Sequence, residues 1–179
     1  MTLLARVAAQ LAARGTDFAV IGAAALAAHG IARSTQDLDL LVADRACLEP
    51  AYWDALRDAG VTVEVHRGDD ADPLAGVVQL RAARETPIDV LVARAGWQRD
   101  VIARAVPVEV EGAAVRAVRA ADLILLKLYA GGPQDAWDVV QLLQLDSDGG
   151  VASEVEARLS ALPEDARRFW AVIGALRGT

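Results

Sequence analysis

A lone cysteine, Cys47, excludes an intrachain disulfide. No uninterrupted apolar run reaches the roughly 18 residues that a membrane span needs. The opening segment, MTLLARVAAQLAARG, carries Arg6 inside its apolar stretch and does not have a signal-peptide layout. The expectation is therefore a soluble, cytoplasmic protein with no membrane partner. Aromatic side chains make up only 4% of the chain, so the core must be built mainly from Ala, Leu and Val. Internal repeats, low-complexity tracts and an evident linker are all missing, which excludes a repeat architecture. Positive charge is in deficit: the net charge of −7 argues against broad, nonspecific nucleic-acid binding. Lysine is nearly absent. Of the 18 cationic side chains, Lys127 is the one lysine. Arginine and lysine are not equivalent, so a single lysine marks a place that needs a compact ammonium, and phosphate is a common partner for one.

What is present is a chain of 179 residues that is 54% hydrophobic, enough for one packed domain. Charge is spread unevenly. Residues 81–127 hold eight Arg or Lys against six Asp or Glu, and residues 128–179 hold four against eight. The basic middle permits a polyanion to be handled locally. Apolar spacing predicts a helix over 2–14, ending at Gly15, then a strand over 18–22 and a short helix over 23–29 closed by Gly30. A strand over 37–42 and a helix over 45–59 follow. Strands are predicted at 61–66, 77–82 and 88–92, the last antiparallel to the one before it, with the acidic, turn-rich RGDDADPLAG as an exposed loop. A helix over 97–105 precedes a hairpin turning near Glu111-Gly112. Helices at 120–130, 133–145, 151–161 and 163–177 complete a mixed α/β layout with an all-helical carboxyl third.

The chemistry concentrates in FAVIGAAALAAHGIARSTQDLDLLV, residues 18–42. A strand runs into small residues, Gly22-Ala23, where a helix begins. Such a turn lets the backbone approach a ligand, and the first N–H groups of a helix attract anions; any tight strand-to-helix turn also favours small residues. The chain then delivers Asp37 and Asp39 at the mouth of the next strand. Residues two apart share one face of a strand and lie about 7 Å apart. Two such charges about 4 Å apart at an effective dielectric near 20 repel by on the order of 4 kcal/mol, which a cation between them would relieve. Asp89 adds a third acid, between Ile88 and Val90 in an otherwise apolar strand. If its strand lies beside that of Asp39, three carboxylates converge as in two-metal phosphoryl or nucleotidyl transfer. Ordinary surface aspartate is the alternative.

Small residues after a strand, then Arg33-Ser34-Thr35, Asp37-Leu38-Asp39 and Asp89, resemble the nucleotidyltransferase superfamily named after DNA polymerase β. LLKLYAGGPQDAWDVVQLL resembles the later motifs of AbiEii-type toxin nucleotidyltransferases. The resemblance covers roughly residues 15–145. It implies a polymerase β-like core over 1–119, with helices over 120–179 packed on it as one unit. It also implies an Mg²⁺-dependent nucleotidyltransferase (Mn²⁺ being the other candidate ion) that uses an NTP. Asp37 and Asp39 would bind the metal, and Asp89 would be ligand or general base. Lys127 would contact the triphosphate, and Asp135 or Asp138 would order the site. Gly22, Ala23, Arg33, Ser34 and Thr35 would meet the nucleotide, although a polar turn explains the last three equally well. The superfamily turn is usually Gly-Gly or Gly-Ser. Ala23 keeps the backbone donor but lacks the seryl hydroxyl and the φ freedom of glycine.

Helix-end electrostatics accounts for Asp135, whereas Asp138 lies further into its helix and needs another reason. Lys127 could instead snorkel beside the apolar stripe of its helix. His29, His66 and Cys47 lack metal-ligand spacing. Trp53, Trp97, Trp137 and Trp170 are expected in the core rather than as stacking platforms. The acceptor implied is an RNA end such as tRNA, with an antitoxin protein as partner, or a small hydroxyl compound as in aminoglycoside nucleotidyltransferases. A catalytically weak nucleotide- or partner-binding module on the same fold is the competing reading.

Overall fold

The computed structural model describes residues 1–33 and 37–177, the side chains of the last two excepted. Ser34 and Thr35, both candidate nucleotide contacts, lie outside the described residues. The elements run α1 (Leu3–Ala13), β1 (Phe18–Val20), α2 (Gly22–Ala28), β2 (Leu38–Val42), α3 (Asp54–Asp58), β3 (Thr62–Arg67), β4 (Leu74–Arg81) and β5 (Ile88–Ala93). They continue with α4 (Trp97–Ala103), β6 (Val106–Val110), β7 (Ala113–Ala117), α5 (Ala120–Ala130), α6 (Pro133–Gln144), α7 (Gly150–Glu156) and α8 (Glu164–Arg177). The seven strands form one mixed sheet in the order β3-β4-β5-β2-β1-β7-β6. β5 is antiparallel to β4, as its sequence pattern predicts, and parallel to β2.

Alternation decides which face of this sheet is sealed. Leu38, Leu40 and Val42 of β2 lie in register with Ile88, Val90 and Val92 of β5, and with Val78 and Leu80 of β4 they are all buried. The alternate positions give the second face, where Asp39, Asp89 and Gln79 make one row and Leu41, Leu91 and Val77 the next. α5 is buried nearly all round through Leu123, Ile124, Leu125 and Leu128, and packs against α2, α6, α7 and α8. Arg104, just past α4, pins it through a two-pronged pair with the buried Asp122, Nη2 to Oδ1 being 2.6 Å. Such a buried carboxylate is tolerated because it is paired and hydrogen-bonded.

Several sequence expectations are corrected, among them the exposed loop over 67–76, whose last three residues belong to β4 with Ala75 and Gly76 buried. The single helix over 45–59 is two 3₁₀ turns, Arg45–Leu48 and Pro50–Trp53, followed by the short α3. Pro50 is the reason: it has no N–H and pushes Glu49 out of the helical region, where Glu49 has ψ 125°. Likewise the helix predicted over 151–161 ends at Glu156, and Leu159–Ala161 is a separate 3₁₀ turn. Trp53 is fully buried, and Trp97 and Trp170 pack half-buried against the core. Trp137 is 61% exposed, because the buried stripe of α6 is Asp138, Val139, Leu142 and Leu143.

Candidate active site

The parallel register of β2 and β5 sets Asp39 directly opposite Asp89 on the half-open face. Asp37 lies just before β2 and acts on the same charge cluster. The Asp39 carboxyl is pushed up to about 6, first by its burial and then by the neighbouring Asp89 charge. Lys127 opposes this, Asp37 adds to it and Arg33 subtracts again. Five of the residues singled out from sequence therefore share one electrostatic neighbourhood.

Gly22 explains the small-residue turn. It has φ +61°, and a Cβ built on it would stand 2.1 Å from Asp39 Oδ2. Only glycine permits both the left-handed backbone and the close carboxylate. The Ile21 N–H donates to the Asp39 carbonyl at 2.9 Å, which locks the turn to the acid-bearing strand.

Lys127 does not merely snorkel. Its Nζ lies 2.9 Å from Asp135 Oδ1 and 2.8 Å from Asp138 Oδ2. Burial pulls its pKa down, but the hydrogen bonds it donates to Asp138 and Asp135 more than offset that, so the net shift is upward and the ammonium holds its proton firmly. Asp135 also accepts the Gly132 N–H at 3.0 Å, so the cap role expected for it is present beside the ion pair. Asp138 is 2% exposed and accepts from Arg33 as well as Lys127, with Gln134 Nε2 at 3.4 Å. One buried carboxylate thus joins the loop that leads to Asp37, the α5 lysine and α6. Ala23 sits beside Gly22 in α2, whose start has no side-chain cap.

Sequence reasoning missed two glutamines. Gln79 is opposite Asp89 on β4, and its amide nitrogen lies 3.4 and 3.3 Å from the two carboxylate oxygens. Its signal was present: it is the one polar residue within LAGVVQL, the same anomaly that marks Asp89. Gln98 is 1% exposed and accepts the N–H groups of Arg94 and Ala95 at 3.1 and 3.0 Å. Nothing in its sequence surroundings marks it. Gln98, Gly22, Asp39, Lys127 and Asp135 all line a cavity of about 220 Å³ between the sheet and α5.

Among the described residues no group of three or more His, Cys, Asp or Glu side chains is arranged to hold a metal ion. The expected three-carboxylate set is therefore not preassembled. The donor chemistry of Asp39 and Asp89 nonetheless fits Mg²⁺. The ion takes hard oxygen ligands, commonly one or two carboxylates completed by substrate phosphates, and Asp39 and Asp89 stand directly opposite each other in the paired strands.

A family profile described as "Nucleotidyl transferase of unknown function (DUF2204)" matches residues 1–169. No curated protein matches the sequence. Among solved structures, ANT(2″)-Ia in complex with adenylyl-2″-tobramycin superposes with a TM-score of 0.55 at 17% identity, over 88% of this chain and 95% of that one. The solution structure of the antibiotic-resistance factor ANT(2″)-Ia gives 0.53 at 19% identity, covering 98% and 94%. The lincosamide antibiotic adenylyltransferase LnuA, with lincomycin bound, gives 0.51 at 13%, covering 79% and 95%. At these identities the likeness is one of fold.

Proposed function

The chain belongs to the nucleotidyl transferase family DUF2204, and from that premise we propose that it moves a nucleoside monophosphate from an NTP to the hydroxyl of a small acceptor. The observation that carries this reading is the in-register pair Asp39 and Asp89 on a half-open sheet face, with Gly22 against Asp39 and Lys127 at the cavity wall. Asp39 and Asp89, with Asp37 beside them, would hold Mg²⁺ or Mn²⁺, whose role when bound is to neutralise charge on the phosphates. Asp89 would take the proton of the attacking hydroxyl, and Gln79 lies beside its carboxylate. Lys127 supplies a permanent positive charge to the triphosphate, and Asp138 fixes both that ammonium and Arg33. Ala23, Arg33 and Asp135 complete the nucleotide side, and pyrophosphate leaves.

A small acceptor is favoured over an RNA end because four of the seven arginines of the basic middle segment are already engaged, which leaves Arg81, Arg84 and Arg99 exposed. Arg104 is bound to Asp122, Arg119 to Glu154, and Arg94 and Arg116 to backbone carbonyls. A toxin that modifies RNA and is restrained by an antitoxin protein is the second reading, and it rests on the AbiEii-like sequence motifs. The test is incubation with each labelled NTP and Mg²⁺ or Mn²⁺, against a panel of aminoglycosides and other hydroxyl-rich small molecules and against total tRNA. Label transfer to a small molecule, lost in Asp89→Asn, is the expected result. Transfer to tRNA alone would move the reading to the toxin. Tight NTP binding without turnover on any acceptor would make the protein a binding module.

A further inference from the structure

The cavity beside Asp39 has a mixed lining. Asp39, Lys127, Asp135 and Gln98 contribute its polar side chains, and the triphosphate is proposed to lie at Lys127. Leu41, Leu91, Leu123 and Leu126 make the apolar walls, and Tyr129 adds a flat one. The tyrosine ring is held edge-on by Trp97, with centroids 5.4 Å apart at 84°, and its hydroxyl donates to the Pro73 carbonyl at 3.3 Å. At about 220 Å³ the cavity is smaller than the roughly 300–1,000 Å³ of pockets that enclose a whole drug-sized ligand, so it suits one ring system of a larger molecule.

Gln98 is the unusual member of the lining. Its Oε1 receives two backbone N–H groups, Arg94 and Ala95, which only an oxygen could accept, so the amide nitrogen must occupy the other position. That nitrogen has no hydrogen-bond partner among the described residues. It is not sealed in protein either, since Arg6 Nε is the one fully buried side-chain nitrogen or oxygen among them without a partner. In a residue only 1% exposed that lines the cavity, the opening is the cavity itself. A buried amide with two unspent donors against apolar and aromatic walls suits a flat ring that carries an acceptor atom on its edge.

We infer that this cavity seats the nucleobase of the NTP and that Gln98 is a specificity-determining residue, donating to an acceptor atom on the base edge. This rests on the nucleotidyl-transfer reading and deepens it. An aminosugar acceptor, polar all round, would find no partners along the leucine walls, whereas a base offers two faces without hydrogen-bonding needs. The base must also lie within a nucleoside's reach of the triphosphate, and Lys127 and Asp135 line the same cavity as Gln98.

The decisive variant is Gln98→Glu, which keeps an oxygen for the Arg94 and Ala95 N–H groups and withdraws the donors. Affinities for the four NTPs and for inorganic tripolyphosphate are measured with Mg²⁺ on both proteins, together with the KM of any acceptor. The expected result is a loss of about tenfold or more for the preferred NTP, with the preference among bases flattened and tripolyphosphate and acceptor unaffected. As a control on folding, the unaltered protein is given analogues of its preferred NTP that each lack one acceptor atom, and one of them should bind at least about tenfold more weakly. Unchanged base preference in Gln98→Glu, equal binding of every analogue, or an effect confined to the acceptor KM would overturn the inference and leave nucleotidyl transfer standing. A protein that binds neither NTPs nor tripolyphosphate would remove both readings together.

Discussion

Asp39 carries a cost that its surroundings make measurable. Its pKa is raised from 3.8 to about 6 in the folded protein, so between those values the folded state holds more protons than the unfolded chain. The resulting stabilisation is complete below about pH 4 and is lost as the pH rises through about 6, leaving an ionised Asp39 that opposes folding by up to roughly 3 kcal/mol. Asp39→Asn is therefore expected to raise stability in urea denaturation at pH 7.5 without divalent metal, and to lose that advantage at pH 4. It should also abolish transfer. Equal pH dependence in the two proteins would contradict the electrostatic account. Gly22→Ala tests the same carboxylate sterically. A methyl group 2.1 Å from Oδ2, on a backbone at φ +61°, must displace Asp39 or the turn. The expected outcome is a lower Tm and loss of transfer, whereas Ala23→Ser, one position along, should fold normally.

At the scale of elements, α6 joins the two halves of the site. Asp138→Ala would leave Lys127 and Arg33 without their shared buried counter-ion, at a cost of about 3 kcal/mol in chemical denaturation and a raised KM for NTP. Asp135→Ala removes a partly buried cap and one of the two acids on Lys127, and is expected to cost only about 1 kcal/mol. Costs in the reverse order would show that Asp138 is not the anchor. These elements also separate what could be read beforehand from what could not. Asp39 and Asp89 stood out because each breaks an apolar strand, and strand alternation carried that anomaly straight to one face. Asp37 stood out by its spacing from Asp39, and Lys127 as the one lysine. The Asp138 link to Arg33 spans 105 positions, and no local spacing encodes it. Gln98 was invisible because its value comes from two backbone N–H groups just before its own short helix and from a cavity wall that includes α5. Pro50, by contrast, was legible in the sequence, and the apolar stripe around it masked its break.

For the whole molecule, the charge of −7 and the prior engagement of Arg94, Arg104, Arg116 and Arg119 make one prediction about ionic strength. A protein that grips a polyanion releases counter-ions on binding, and loses on the order of 10³-fold or more in affinity between about 50 and 200 mM salt when six or more phosphates are contacted. This chain, with four of its seven middle arginines already paired, offers Arg81, Arg84 and Arg99 there as exposed cations beyond those at the triphosphate. With NTP saturating, the acceptor KM for a small hydroxyl compound should therefore change by no more than about threefold over that range. A polycationic acceptor would depart in a recognisable direction, binding more weakly as salt screens its attraction to an acidic surface. A steep salt dependence with tRNA as acceptor, persisting after Arg81→Ala, Arg84→Ala and Arg99→Ala together, would mean that the paired arginines are released on binding. The fold would then rearrange around its substrate rather than receive it.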